Sequence, residues 1–358
     1  MRSSVLIFAL MAAMHAQTLN RKVDLPADSP VTLVSDDWGD TGATARGGAF
    51  FVDVHASLSL RNASQKRVHG ITLSVSTQEV TPGGKGSVSV PSLDAGPGEV
   101  FPVRIDLKLL RPIGSNAAVE VKLDGVLFDD LSFYGVDALH SRRTMTVWEL
   151  EARRDRLYFK KLLETAGRDG LQKEIIGSIA RQADRTQPGV QMVRGRATNF
   201  DPERELAFAF LQIPESPVEL TTGMAKISGN EAHTPRFEVR NRGDRPVRYL
   251  EIGWIIKDQH GREFLAASMP ADVSVAPGRA GQVLEDAALR FSTPVESMSA
   301  FVSTVGFADG SYWIPARTSL NDVRIRKVIS PSPEEQRLTQ MIYLKKGLPG
   351  LIEELKKY

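Results

Sequence analysis

Apolar and polar residues alternate with a period of two along most of this chain, and helical spacing interrupts the alternation in two places. Phe50-Phe51-Val52-Asp53-Val54 leads into Ala56 to Leu60, where Leu58 and Leu60 alternate with serines. Ile71, Leu73 and Val75 alternate with Thr72 and Ser74. The pattern returns at Val88 and Val90, at Val103, Ile105, Leu107 and Leu109, and at Val119, Val121 and Leu123. Such spacing puts every second side chain on one face, as a half-buried strand requires. Pro82-Gly83-Gly84, Gly96-Pro97-Gly98, Gly114-Ser115-Asn116 and Asp124-Gly125 are the expected turns between strands. Short strands punctuated in this way predict a β-sandwich from about Val31 to Tyr134.

From Thr146 to Ala183 the period changes. Trp148, Ala152, Phe159, Leu162, Leu163 and Ala166 predict one helix. Leu171, Ile175, Ile176, Ile179 and Ala183 predict a second, with Gly167 and Gly170 between the two. Gln187-Pro188-Gly189 ends the helical region. Strand patterning then resumes from about Ala207 to Arg326, with Phe237 and Val239 alternating against charged neighbours and Ile252, Trp254 and Ile256 forming a strand closed by Asp258-Gln259-His260-Gly261. After Ser330-Pro331-Ser332-Pro333, Leu338, Met341 and Ile342 form one helical face and Leu348, Leu351, Ile352 and Leu355 another. Pro349 suits a first helical turn. This amphipathic tail is expected to dock within the chain, on its own sandwich or on the earlier helices, rather than on another protein.

The chain repeats itself. Leu60-Arg61-Asn62 matches Val239-Arg240-Asn241 at an offset of 179 residues. In that register Val68 meets Val247, Ile71 meets Leu250, Leu73 meets Ile252 and Val75 meets Trp254. Pro97-Gly98 meets Pro277-Gly278 one residue out of step, and Phe128, Asp130, Ser132, Phe133 and Tyr134 meet Phe307, Asp309, Ser311, Tyr312 and Trp313. Ser29-Pro30-Val31 against Ser216-Pro217-Val218 and Tyr158-Phe159-Lys160-Lys161 against Tyr343-Leu344-Lys345-Lys346 extend the likeness at other offsets. Asn62 and Asn241 are expected to serve a turn, since Asn bonds its own backbone. The paired late aromatics are expected to cap the sandwich core.

The residues Leu58 to Val75 with Pro97-Gly98, and Phe237 to Trp254 with Pro277-Gly278, resemble immunoglobulin-like modules of exported proteins, the FxLYD-type and CARDB-like domains being the nearest. The resemblance covers the two strand regions and leaves out the helices. It implies adhesion, assembly or spacer roles and carries no catalytic residues. The expected fold is mainly β with helical appendages: two immunoglobulin-like β-sandwiches, each followed by an α-helical segment. The expected organisation is a signal peptide over 1–16, a first sandwich over 17–144, a helical appendage over 145–187, a second sandwich over 188–329 and a helical tail over 330–358.

Length and composition agree with this picture. At 358 residues the chain is long for one core. A formal charge of +2, from 45 basic and 43 acidic residues, provides no field for steering nucleic acid. Arg2, the apolar run Val5 to Met14 and the small residue Ala16 follow signal-peptide grammar, with cleavage expected at Ala16-Gln17 and no membrane span in the mature chain. With no cysteine, disulfides, thiolate metal sites and lipid attachment to cysteine are excluded. An exported location, periplasmic or secreted, is expected.

Chemical motifs are sparse. His55, His69, His140, His233 and His260 form no zinc spacing, and there is no nucleophile elbow, phosphate loop or dinucleotide fingerprint. Asp36-Asp37-Trp38-Gly39-Asp40 is the densest acidic loop, so Asp36, Asp37 and Asp40 are the weak candidates for a Ca²⁺ site, and a solvated loop is the expectation. Asp129-Asp130 could offer an acid and a base, but its match at Asp309-Gly310 predicts a hairpin turn. Asn62-Ala63-Ser64 fits the glycosylation sequon. The charged run through Glu149 to Arg156 reads as a solvated helix face. No cofactor is expected. The expectation for function is a non-catalytic envelope or secreted scaffold that binds another exported protein. One alternative is a carbohydrate or cell-wall binding module using Trp38, Tyr134, Tyr312 and Trp313 as stacking rings. A second is a carboxylate-dependent hydrolase using Asp36, Asp37 or Asp130.

Overall fold

The computed structural model describes residues 19–77, 83–112, 118–183, 190–193, 203–284, 288–291, 293–321, 325 and 330–358. The leader 1–16 with its Ala16-Gln17 junction, Pro82, Gly114-Ser115-Asn116 and Gln187-Pro188-Gly189 lie outside the described residues. The fold is mainly β with helical appendages, and the chain divides into two units between Thr146 and Val147.

The first unit contains β1 (Asn20–Asp24), β2 (Val31–Asp37), β3 (Gly42–Arg46), β4 (Ala49–Asn62), β5 (Val68–Ser76), β6 (Lys85–Val90), β7 (Val100–Pro112), β8 (Ala118–Phe128) and β9 (Phe133–Tyr134). One sheet runs β1-β8-β5-β6 with β9 on β8; the other runs β2-β4-β3 with β7 on β4. Their inward residues form one core that includes Val54, Leu58, Leu60, Ile71, Leu73, Val103, Ile105 and Val121. These are the alternating positions of the sequence pattern, so burial follows from the pleat. Helix α1 (Ser141–Ala183) begins here, and Met145 in its first turns rests on Gly70 and Thr72 of β5.

Asp124-Gly125 is not a turn. Both residues lie inside β8, where the pairing steps from Leu73–Leu123 to Thr72–Gly125 and leaves Asp124 as the extra residue of a bulge. The Asp124 carboxylate is buried and accepts bonds from the Leu139 N–H at 3.2 Å and the Ser141 hydroxyl at 2.7 Å, and the bare Cα of Gly125 makes room for the Phe133 ring.

The second unit contains β10 (Val190–Val193), β11 (Arg204–Ala207), β12 (Ala209–Phe210), β13 (Val218–Ser228), β14 (Glu231–Asn241), β15 (Val247–Asp258), β16 (Glu263–Val275), β17 (Ala280–Leu284), β18 (Ala288–Phe291), β19 (Val295–Phe307) and β20 (Tyr312–Trp313). One sheet runs β10-β18-β14-β13-β11 with β17 on β14; the other runs β12-β19-β15-β16 with β20 on β19. Trp254 is fully buried between them, with the Phe208 ring edge-on at 4.9 Å.

The two units repeat one topology. β12-β19-β15-β16 reproduces β1-β8-β5-β6, and in each case the first strand runs parallel to its neighbour. The polar framework repeats as well. Asn62 and Asn241 are both 0% exposed. Asn62 Nδ2 donates to the carbonyls of Lys66 and Ala95 at 2.8 and 2.9 Å; Asn241 Nδ2 donates to those of Arg245 and Val275 at 2.8 and 3.1 Å. Gly98 and Gly278, at φ 78° and 69°, each donate an N–H to the carbonyl of that same Asn. Ser29 and Ser216 cap the entering strand through the N–H groups of Val31 and Val218, so this pair is equivalent despite its different offset.

The rest of the second unit is helical. α1 breaks at Gly167 (φ 67°), as its two glycines led one to expect, and the tail forms α2 (Pro333–Gln336), a π-helical stretch (Arg337–Tyr343) and α3 (Leu344–Leu355), itself broken at Gly347 (φ 69°). Pro349 accordingly sits just after a helix restart. The tail docks within the chain: Leu338, Ile342, Leu351, Ile352 and Leu355 share a core with Phe159, Leu171 and Ile175 of α1.

Candidate functional site

The acidic loop closes on itself. Trp38 turns into the first core, 7% exposed, and its indole N–H donates to Asp36 Oδ2 at 2.6 Å. Asp37 Oδ1 accepts the Gly39 N–H at 3.0 Å, and Asp36, Asp37 and Asp40 are exposed. Among the described residues no three His, Asp or Glu side chains converge as a metal cage would require. Asp130 lies in the hairpin turn after β8, pairs with Lys66 at 2.7 Å and accepts the Ser132 N–H at 3.0 Å. Lys66 and Ser132 together hold its carboxyl well below the usual carboxylate range. Asp309 accepts the equivalent bond from Ser311. Tyr134 is half-buried and donates its hydroxyl to Asp28 at 2.9 Å. Tyr312 lies over Gly306, and Trp313 packs against two apolar clusters. Of the four aromatics Trp38 is buried, and Tyr134, Tyr312 and Trp313 are half-buried.

The charged run on α1 is only partly solvated: Arg153 is exposed, but other charges of the run are buried. Glu149, Asp155 and Arg156 are 2%, 0% and 5% exposed, and Asp155 and Arg156 meet the tail at Ser332, Glu334 and Tyr358. Ser332 caps α2, accepting the Glu335 N–H at 3.0 Å while donating its hydroxyl to Asp155 Oδ2 at 2.6 Å. Arg317 grips Glu335 through two bonds of 2.6 and 2.8 Å, reaches Asp155 at 3.3 Å, and stacks over Tyr158 at 4.9 Å. Arg337 grips Glu334 at 2.8 and 2.9 Å and Glu354 at 2.7 Å, and Arg156 lies 4.2 Å over the Tyr358 ring. Glu335 is disfavoured as an anion by burial, but the Arg317 bonds and the Ser178 hydroxyl prevail and lower its pKa. Burial, aided by Asp155 and Glu335 and opposed by Arg154, pushes Glu151 up to about 7. Every carboxylate of this hub except Glu151 is held by a cation or hydroxyl. The arrangement fastens the tail to α1 and leaves no acid–base pair open to a substrate.

The other feature is a groove of about 490 Å³ on the outer face of the β1-β8-β5-β6 sheet. Its floor includes Ser74, Ser76 and Lys122; its walls are Leu25 and Pro26 on one side and Val136, Ala138 and Leu139 on the other. Val136 is 78% exposed and Leu139 44%. The loop that presents them passes through left-handed backbone at Gly135, Asp137 and His140 (φ 131°, 54° and 53°), and the Asp124 carboxylate and carbonyl hold it down. Non-glycine residues in that region cost about 1–3 kcal/mol each and persist where the surroundings enforce them.

The second unit fills the equivalent place. With Ser76 opposite Glu120 in one unit and Ile255 opposite Ser299 in the other, Ser74, Ser76 and Lys122 correspond to Gly253, Ile255 and Phe301. Asp24 and Pro26 correspond to Leu211 and Ile213, through the parallel pairing of β1 and β12. Ile213, Ile255, Phe301, Leu320 and Ile325 form a closed apolar cluster there, and the Phe301 ring lies against Gly253 where a side chain would stand. The sequence held this signal. The repeat register aligns Lys122 with Phe301 and Ser76 with Ile255, an apolar-to-polar change on two outward positions, but a search for motifs does not look for differences between copies.

No protein family's profile matches the chain, and no curated protein matches it. Among solved structures, a β-glucosidase from Kluyveromyces marxianus overlaps 75% of this chain and 45% of its own, at 8% identity and a TM-score of 0.16. A red sea bream transglutaminase overlaps 76% of this chain and 31% of its own, at 8% identity and a TM-score of 0.13. The chain thus spans less than half the length of either protein, and overlap at this level does not amount to a shared fold.

Proposed function

We propose that this chain is an exported, non-catalytic binding or scaffold protein built on tandem immunoglobulin-like sandwiches of the FxLYD or CARDB-like kind, and that its first unit carries the binding site. The supporting observation is where the two copies differ. The shared polar side chains, Asn62 and Asn241 above all, bond the backbone. On the outer sheet face the copies part: one is sealed by its own apolar side chains and the other is an open groove rimmed by exposed Val136 and Leu139. A sandwich needs no such opening for stability, and here the opening is rimmed by the exposed apolar side chains of Val136 and Leu139.

The hydrolase reading has less support, since Asp36 accepts the Trp38 indole N–H, Asp37 holds the Gly39 N–H and Asp130 is ion-paired with Lys66. The sugar-stacking reading has less support, since Trp38 is buried and Tyr134, Tyr312 and Trp313 are half-buried. Export is tested by the mass of the protein recovered outside the cytoplasm: a chain beginning at Gln17 is expected, and an intact Met1 terminus would sink that part. The binding role is tested with a photo-crosslinking residue at Val136 in cells, compared with the same residue at Leu284, which is 70% exposed in the other unit. Reproducible capture at Val136 alone supports it; equal capture at both positions counts against it.

A further inference from the structure

We infer that the groove of the first unit takes a short, uncharged stretch of polypeptide, a loop or terminus of another protein that presents two apolar side chains. The inference rests on the reading of that groove as the binding site and adds the class of partner. Three observations carry it.

The first is what fills the same place in the second unit. After the hairpin that ends in Trp313 the chain makes a short 3₁₀ turn (Ser319–Asn321), and Leu320 and Ile325 close over Ile213, Ile255 and Phe301. The cover for this sheet face is therefore a polypeptide segment with two apolar anchors.

The second is that the first unit directs its own equivalent elsewhere. At the repeat offset of 179 residues, Leu320 and Ile325 correspond to Ser141 and Thr146. Both lie in the first turns of α1, where the Ser141 hydroxyl donates to Asp124 Oδ2 at 2.7 Å and that of Thr146 to the Arg142 carbonyl at 2.7 Å. The loop before them is fixed to the same course. The Leu139 N–H donates to the Asp124 carboxylate, and the Asp137 carboxylate accepts the Arg142 N–H at 2.9 Å. A space of about 490 Å³ stays open over the first sheet where the second unit has its own side chains.

The third is the chemistry of the lining. Lys85 and Lys122 are matched by Asp24 and Asp124, so the groove has no net charge and favours neither an acidic nor a basic partner. Its walls at Leu25, Pro26, Val136 and Leu139 are apolar, and Ser74 and Ser76 place hydroxyls on the floor. A peptide complements both. Each residue brings a backbone donor and acceptor to the polar floor, and apolar side chains bury the exposed surface of Val136 and Leu139. The segment comes from another protein, because the stretch of this chain with that shape, around Leu320 and Ile325, is already buried in the second unit.

The test uses residues 17–358 and a phage-displayed library of random twelve-residue peptides, followed by calorimetry with the synthetic form of the selected peptide. The selection is expected to converge on peptides of no net charge with two apolar residues at a fixed separation. Val136→Asp changes an exposed side chain, so the fold is kept, and it should weaken the selected peptide at least roughly tenfold. Ser76→Ile/Lys122→Phe gives the first unit the floor of the second and should abolish binding while the thermal transition is retained. Convergence on acidic or basic peptides, or a selected peptide unaffected by Val136→Asp, overturns the inference. A concentration-dependent dimer of the native chain that Val136→Asp disperses also overturns it, since the occupant is then a second copy. If no peptide is selected while crosslinks at Val136 persist, this inference falls and the binding role stands. If the filled variant binds the peptide as well as the native chain does, the groove is not the site, and both fall.

Discussion

Arg317 and Glu335 face each other as a two-pronged pair, Nη1 to Oε2 at 2.6 Å and Nη2 to Oε1 at 2.8 Å, at the centre of the buried hub. Arg317 also reaches Asp155 at 3.3 Å, but Arg154 holds that carboxylate through two closer bonds, so the charge that depends on Arg317 is that of Glu335, 5% exposed. Removing Arg317 leaves the buried Glu335 carboxylate without its paired cation. Arg317→Ala is therefore expected to destabilise the helical part by about 3–5 kcal/mol. Arg317→Lys should recover only part of this, because an ammonium cannot make the planar fork. Urea unfolding followed by circular dichroism at 222 nm measures both.

Glu151 and Glu335 give opposite dependences on pH. The Glu335 pKa is lowered in the fold, so its contribution is present above the ordinary glutamate value and is lost as pH falls through the lowered one. Glu151 is raised to about 7, so its protonated form is favoured in the fold and stability declines as pH rises from the ordinary value, near 4.5, to about 7. Glu151→Gln should remove that decline. At pH 8 the variant is expected to be more stable than the native chain by about 1–3 kcal/mol, with little difference at pH 4. A gain of equal size at both pH values would contradict this origin.

The two clasps should behave alike. Asn62→Ala and Asn241→Ala each remove two hydrogen bonds that a fully buried side chain makes to backbone carbonyls, and each is expected to cost about 1–3 kcal/mol. Asn62→Asp should be no better, since a carboxylate offers no N–H to the carbonyls of Lys66 and Ala95. Hydrogen exchange resolves the prediction by unit. Faster exchange is expected at Gly98 for the Asn62 variants and at Gly278 for the Asn241 variants, because these amides donate to the altered residues.

The tail should be integral to the second unit. Leu351 is fully buried against the α1 cluster, so Leu351→Ala is expected to cost about 2–5 kcal/mol. A chain ending at Ile329 should lose helical signal beyond that of the residues removed and bind apolar dyes, because Phe159, Leu171 and Ile175 lose their cover. Unchanged ellipticity per remaining residue would show that α1 holds itself.

Much of the architecture follows from the sequence alone. The period-two runs through Leu58, Ile71 and Val103 became strands because alternation leaves one dry face, and two dry faces can only be satisfied against each other. The break at Gly167 and the turn at Pro97-Gly98 were legible because glycine supplies backbone conformations that other residues resist. The repeat register located the Asn clasps, since a sequence offset carries over into a topological one. Other features depend on residues far apart in the chain. Asp124 looked like a turn residue and became a bulge because β5 could pair on either side of it and Ser141 was there to satisfy its carboxylate. Glu149 to Arg156 looked solvated, because periodicity records which face a charge is on and not what later covers it; here the cover begins at Ser332, 177 residues after Asp155. The groove, too, belongs to the tertiary structure. Whether Lys122 lies on an open floor or beneath a cap depends on the loop from Gly135 to His140, and no local pattern states what stands over a sheet face.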